Sequence, residues 1–180
     1  MKNYLILILL IPLQFAYSQD NRIKAGIELD VLPYLTGGYF AAGWVGTNQV
    51  RIRALIAKVN MPDFIVSEGF TNNKINSIAI VGDYFLKKDF QGLWLGSGFV
   101  LWQGDIQTDK QIETASYKSY LLNGSLGYAF YFNPRFYISP WAGLSLRIGG
   151  DKTISVDGEN YDPPLINPEL SVKMGFRFNK

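Results

Sequence analysis

Between Ser119 and Phe178 the chain alternates so regularly that only extended strands with two unlike faces accommodate it. In Ser119–Tyr131 one parity carries Tyr120, Leu122, Gly124, Leu126, Tyr128 and Phe130, the other Ser119, Leu121, Asn123, Ser125, Gly127 and Ala129. In Phe136–Ile148, Phe136, Ile138, Pro140, Ala142, Leu144, Leu146 and Ile148 oppose Tyr137, Ser139, Trp141, Gly143, Ser145 and Arg147. The last segment sets Leu170, Val172, Met174, Phe176 and Phe178 against Ser171, Lys173, Gly175 and Arg177. A period of two belongs to a β-strand, since a helix would repeat every 3.6 residues. Asn133-Pro134 interrupts the pattern with a residue that donates no ladder hydrogen bond, which predicts a tight turn.

The same reading extends to eight segments. The first places Ile23, Ala25, Ile27, Leu29 and Val31 against Lys24, Gly26, Glu28 and Asp30. Gly38–Val45, Gln49–Val59 and Lys74–Phe85 follow, and Gly92–Trp102 is a fifth segment whose outward face stays open. Short joints at Gly46-Thr47-Asn48, Leu86–Gln91 and Asn133–Arg135 alternate with long ones at Asn60–Asn73, Gln103–Ala115 and Gly149–Asn167; Leu32–Gly37 falls on the long-joint end. The fold class predicted is all-β, an eight-stranded antiparallel up-and-down transmembrane β-barrel, each strand needing about 9–11 residues to cross a bilayer. Closure would pair the last strand with the first, because backbone groups cannot stay unpaired in lipid.

The N-terminus carries a secretory address: Lys2, the apolar run Tyr4–Pro12, and Ala16-Tyr17-Ser18 with small residues at the −3 and −1 positions. The predicted organisation is a cleaved signal peptide at 1–18 and a barrel domain at 19–180. Removing Lys2 would lower the formal charge from +2 to +1, a balance that excludes electrostatic capture of nucleic acid. Past the leader there is no apolar stretch of helix-spanning length. A strand with one apolar and one charged face also fits a soluble lipocalin-like barrel, with the apolar side turned inward. Long uninterrupted apolar faces favour the membrane, as do Trp44, Tyr120, Tyr128, Phe130, Phe136 and Phe178 near strand ends, where interfacial girdles form.

With its signal peptide, its Asn133-Pro134 turn and its terminal strand Glu169–Phe178 (ELSVKMGFRF), the chain resembles the small outer-membrane β-barrels of diderm bacteria. That resemblance implies location in the outer membrane and contact with outer-membrane lipid. It also implies delivery by the barrel-assembly machinery, which reads a terminal strand with a closing aromatic; here Phe178 precedes Asn179 and Lys180. The enzymes of that broad family, among them lipid A deacylases, palmitoyltransferases, phospholipases and omptin proteases, mostly work through a histidine. This chain has none, and it has no cysteine.

A serine nucleophile needs an adjacent base, so the absence of histidine points away from catalysis, and no cofactor or metal is expected. The charged parity is instead read as a structural network filling the interior: Lys24, Glu28, Asp30, Arg51, Arg53, Asp83, Arg147, Lys173 and Arg177. Eight strands leave a lumen just wide enough for side chains, which predicts a plugged cylinder. The Asn60–Asn73 joint is unusually apolar, and Met61, Phe64, Ile65 and Phe70 are candidates for contact with an extracellular partner or a hydrophobic ligand. Asp63 and Glu68 there could meet a cation. Thr153–Tyr161 predicts a hairpin prolonging the last two strands beyond the membrane. The reading is a non-catalytic outer-membrane barrel; the alternatives are a small transporter or binder of apolar molecules and a soluble periplasmic binder.

Overall fold

The computed structural model describes residues 22–178; the signal peptide and its cleavage site fall outside the described residues. Eight strands close into one antiparallel barrel: β1 (Lys24–Asp30), β2 (Tyr39–Thr47), β3 (Val50–Asn60), β4 (Phe70–Phe85), β5 (Gly92–Thr108), β6 (Ala115–Tyr131), β7 (Phe136–Gly150) and β10 (Ile166–Arg177). Two short strands, β8 (Ile154–Val156) and β9 (Glu159–Tyr161), form a separate hairpin. Each barrel strand pairs with its sequence neighbours, and β1 pairs with β10 from Gly26↔Arg177 to Asp30↔Lys173. No sheet edge is left to seek a partner along the barrel wall. No described helix is long and apolar enough to cross a membrane.

Register fixes the girth. Followed from Glu28 through Ala42, Leu55, Ala79, Val100 and Leu121 to Arg147, the ladder arrives at Leu165, ten residues from Gly175, the partner of Glu28 in β10. Such a shear tilts the strands by about 40° and leaves an interior only wide enough for side chains.

The faces sort by parity. Ile78, Ile80, Leu95, Phe99, Leu126, Leu144 and Leu170 are exposed on the outside, whereas Arg51, Arg53, Glu28 and Asp83 are buried. Ile138, Leu146, Val172 and Phe176 share the outward parity. This is the reverse of a lipocalin-like arrangement. β5 takes a definite side: Leu93, Leu95, Phe99 and Leu101 point out, Trp94, Val100 and Trp102 in. Trp44, expected in the outer aromatic girdle, is instead 2% exposed inside, because it shares parity with Phe40 and Ala42.

Strand lengths depart from expectation on one side. β4 begins at Phe70, β5 runs to Thr108 and β6 begins at Ala115, giving 16, 17 and 17 residues. The added residues 70–73, 103–108 and 115–118 include Gln103, Asp105 and Lys118 on the outward parity, where no hydrophobic alternation marks them as strand. A row of direct cross-strand partners, Lys58–Asn76–Gln103–Lys118, ends the apolar belt there. The β1–β2 joint holds a short helix, α1 (Val31–Leu35).

Inside, large rings lie on glycines. Trp44 faces Gly26, Trp94 faces Gly127, Tyr117 faces Gly104 and Tyr137 faces Gly175, each as a direct cross-strand pair. A Cβ at any of these four glycines would overlap the facing ring. A narrow barrel can hold these four rings because the opposite position contributes no side chain.

Overpacking a filled interior costs roughly 1–3 kcal/mol. Gly127→Ala should therefore lower the urea midpoint of the folded barrel. Gly124→Ala, on the outward parity with nothing within 4 Å, should leave it nearly unchanged.

Candidate functional site

β3 places Arg51 and Arg53 two residues apart on the inner face, β4 brings Asp83 beside Arg51 in register, and β1 contributes Glu28 from across β2. These four close into a ring. Arg51 meets Glu28 Oε1 at 2.9 Å and Asp83 Oδ2 at 2.7 Å; Arg53 meets Glu28 Oε2 at 3.2 Å and Asp83 Oδ1 at 2.9 Å. Each arginine bridges both carboxylates, so all four carboxylate oxygens are engaged. Tyr137 donates to Glu28 at 2.8 Å and accepts from Arg51 at 3.1 Å. The guanidinium planes also rest on aromatic faces, Arg51 over Trp44 and Phe85 and Arg53 over Trp94. Burial this deep is offset by the opposite charges and hydrogen-bond donors that surround each group.

A second cluster sits higher. Lys173 lies 3.4 Å from the centre of the Trp141 ring and 4.0 Å from Asp30, while Trp141 and Ser171 both donate to Asp30. Glu169, which hydrophobic patterning does not reveal, accepts from Ser145 and from Asn123 on the same inner face. It shares parity with Ser171 and Lys173 and opens the predicted terminal strand Glu169–Phe178, although it is not among the inward residues expected there.

Three predicted members of the network lie elsewhere. Lys24 reaches out to Asp89 in the β4–β5 turn, because it begins its strand at the barrel rim. Arg177, at the end of β10, donates to the carbonyls of Pro134 and Asp89 under the same rim. Arg147, at the opposite rim, donates to the carbonyl of Asp151. Inward parity brought these three onto the correct face, but their height along the strand removes them from the ring.

Side chains cover each end. At the short-turn end, Asp89 and Phe90 adopt φ of 64° and 60°, and this bend turns Phe90 into the barrel against Trp44 and Phe85. Phe90 is 0% exposed. No sequence signal marks this inserted ring.

At the other end the β8–β9 hairpin, turning through Asp157 and Gly158 with positive φ, does not prolong β7 and β10. It folds over the mouth, burying Val156 and Tyr161, because its apolar parity seeks Ile106, Tyr117 and Phe70. Tyr161 packs 5.0 Å from Phe70 and 5.5 Å from Tyr117, and Asn73 links the two tyrosine hydroxyls. Burial pushes the Tyr161 hydroxyl above its ordinary pKa, which keeps it neutral.

The apolar loop candidates separate. Phe70 and its neighbour Val66 join this lid, Met61 is half-buried, and Phe64 and Ile65 remain exposed, Phe64 at 87%. Asp63 is held by Thr71 and the Asn72 amide. Among the described residues no group of three His, Cys, Asp or Glu could hold a metal ion.

Removing one partner from a buried ion-pair cluster strands the others and costs about 3–5 kcal/mol. Glu28→Gln and Asp83→Asn should each lower the urea midpoint by that order, and Lys24→Gln, at the rim, far less.

No protein-family model and no curated protein matches the chain. Solved structures do. The N-terminal β-barrel domain of OprF from Pseudomonas aeruginosa aligns over 89% of this chain and 100% of its own, with a TM-score of 0.53 and 14% identity. Neisserial surface protein A aligns over 87% of this chain and 96% of its own, with a TM-score of 0.53 and 11% identity. Eight antiparallel strands, a filled interior and these two likenesses give the chain the fold of the small eight-stranded outer-membrane β-barrels.

Proposed function

We propose that the chain is an integral outer-membrane protein without catalytic activity, a sealed cylinder that serves the envelope through its wall and its surface loops. The observation that carries this reading is the inversion of the faces. The outward belt is apolar over eight strands and far exceeds the few hundred Å² that soluble monomers leave exposed, while Glu28, Arg51, Arg53 and Asp83 are enclosed. In this reading the short turns face the periplasm and the long joints face outside, as such barrels are built. The ion-pair ring, Phe90 below it and the hairpin above it leave no continuous channel for ions. A chain without histidine, whose innermost carboxylates are tied to arginines, offers no free base for acyl transfer.

One observation favours interaction at the surface over a purely structural role. Phe64 and Ile112, 87% and 75% exposed, project from the two loops that Asp109 joins to Gly69 through its backbone amide. Apolar tips on adjoining loops suit contact with a partner or an apolar molecule outside the barrel.

Three measurements test these readings. A lipid-soluble maleimide should label Leu144→Cys and spare Ser145→Cys, and equal labelling would overturn the assignment. In planar bilayers the protein should conduct at background level, and steady channels would contradict a sealed interior. Deleting residues 61–69 should leave uptake of hydrophobic compounds by cells unchanged, whereas a marked fall would favour the transporter.

A further inference from the structure

The two rims of the barrel differ in charge. At the loop end nine carboxylates accompany six cationic side chains among the described residues. At the turn end, among the described residues, Arg22, Lys87, Lys88 and Arg135 are exposed and Lys24 is half-buried, beside a single carboxylate, Asp89, which Lys24 already holds. Between the β4–β5 and β6–β7 turns a cleft of about 210 Å³ opens in this basic rim, lined by Lys87, Gln91, Gly92, Tyr128, Phe130 and Tyr131.

Its walls are of two kinds. Tyr128 and Phe130 carry the outward parity, are exposed, and lie tilted against each other at 4.4 Å between ring centres, so they continue the apolar belt down to the rim. Above the backbone of Gly92, which has φ of +74° and no side chain, lies the aliphatic stem of Lys87. An occupant of this cleft therefore meets hydrocarbon-facing rings on one side and an ammonium group on the other. A free anion would use only half of these walls, and an apolar molecule only the other half.

Resting on the membrane reading above, we infer that this cleft is a binding site for an anionic glycerophospholipid of the leaflet that borders the turns. The phosphate would sit against Lys87, with Lys88 adding to the local field, and the glycerol and upper acyl chain would lie along Tyr128 and Phe130. The acidic excess at the opposite rim disfavours the same lipid there.

The purified, folded protein, freed of lipid in a neutral detergent, tests this by native mass spectrometry. It is titrated with dilauroyl phosphatidylglycerol and with dilauroyl phosphatidylcholine. Phosphatidylglycerol should be retained in preference, and Lys87→Gln with Lys88→Gln should weaken it by about fivefold per lysine. Phe130→Ala should weaken both lipids. Lys118→Gln with Lys152→Gln, at the far rim, should change neither. A heat-modifiability gel confirms that each variant remains folded.

Equal retention of the two lipids overturns the inference. So does complete displacement of phosphatidylglycerol by inorganic phosphate, which would mark a bare anion site, or retention of soluble peptidoglycan fragments through the same lysines. A protein that fails to insert into phosphatidylcholine vesicles removes the membrane reading and this site together. One that inserts but shows no headgroup preference removes the site alone.

Discussion

The pairing of β1 with β10 is the contact on which the rest of this molecule depends. Until those strands meet, the sheet has two open edges and no inside. Once Gly26 faces Arg177 and Asp30 faces Lys173, the apolar parity of all eight strands is committed outward and the charged parity to a common axis. The register that closes the ring also sets its width. That width is too small for water to solvate Glu28, Arg51, Arg53 and Asp83 individually, so they must solvate one another. The reciprocal ring they form is a consequence of closure.

The same narrowness explains the composition of the inner face. Trp44, Trp94, Tyr117 and Tyr137 each lie where a glycine stands across the ladder, and Gly96 makes similar room beside Asp83. Glycine is here a spacer that lets a neighbour lie flat. The rings in turn cover the guanidinium groups and provide a polarisable surface where water is excluded. Packing and electrostatics in this interior are one arrangement seen from two sides.

The two ends are covered by opposite means. At the turn end, two consecutive residues in the left-handed region drive a single phenylalanine inward. At the loop end, a whole hairpin lies across the opening and hides its tyrosine. The turn end is left short, basic and aromatic, and the loop end tall, polar and acidic. Unequal strand lengths contribute to this, since β4, β5 and β6 rise past the belt behind a polar outer face.

Much of the plan was legible in the residues themselves. Period-two alternation names the strands and their faces, and the alternation of short and long joints gives antiparallel order. Both follow from local geometry, so side could be read from parity, except in Gly92–Trp102, and direction from the lengths of the joints. Height, depth and partnership could not. Lys24, Arg147 and Arg177 share the parity of the ring yet serve the rims, and Trp44 is a core residue despite its place near a strand end. Phe90 enters from a turn, Glu169 finds Ser145 and Asn123 across the inner face, and the Thr153–Tyr161 hairpin folds over the mouth. These depend on register and closure, which join residues far apart in the chain. Only the tertiary structure, where such residues meet across a ladder, decides which charges compensate one another and which loop covers the opening.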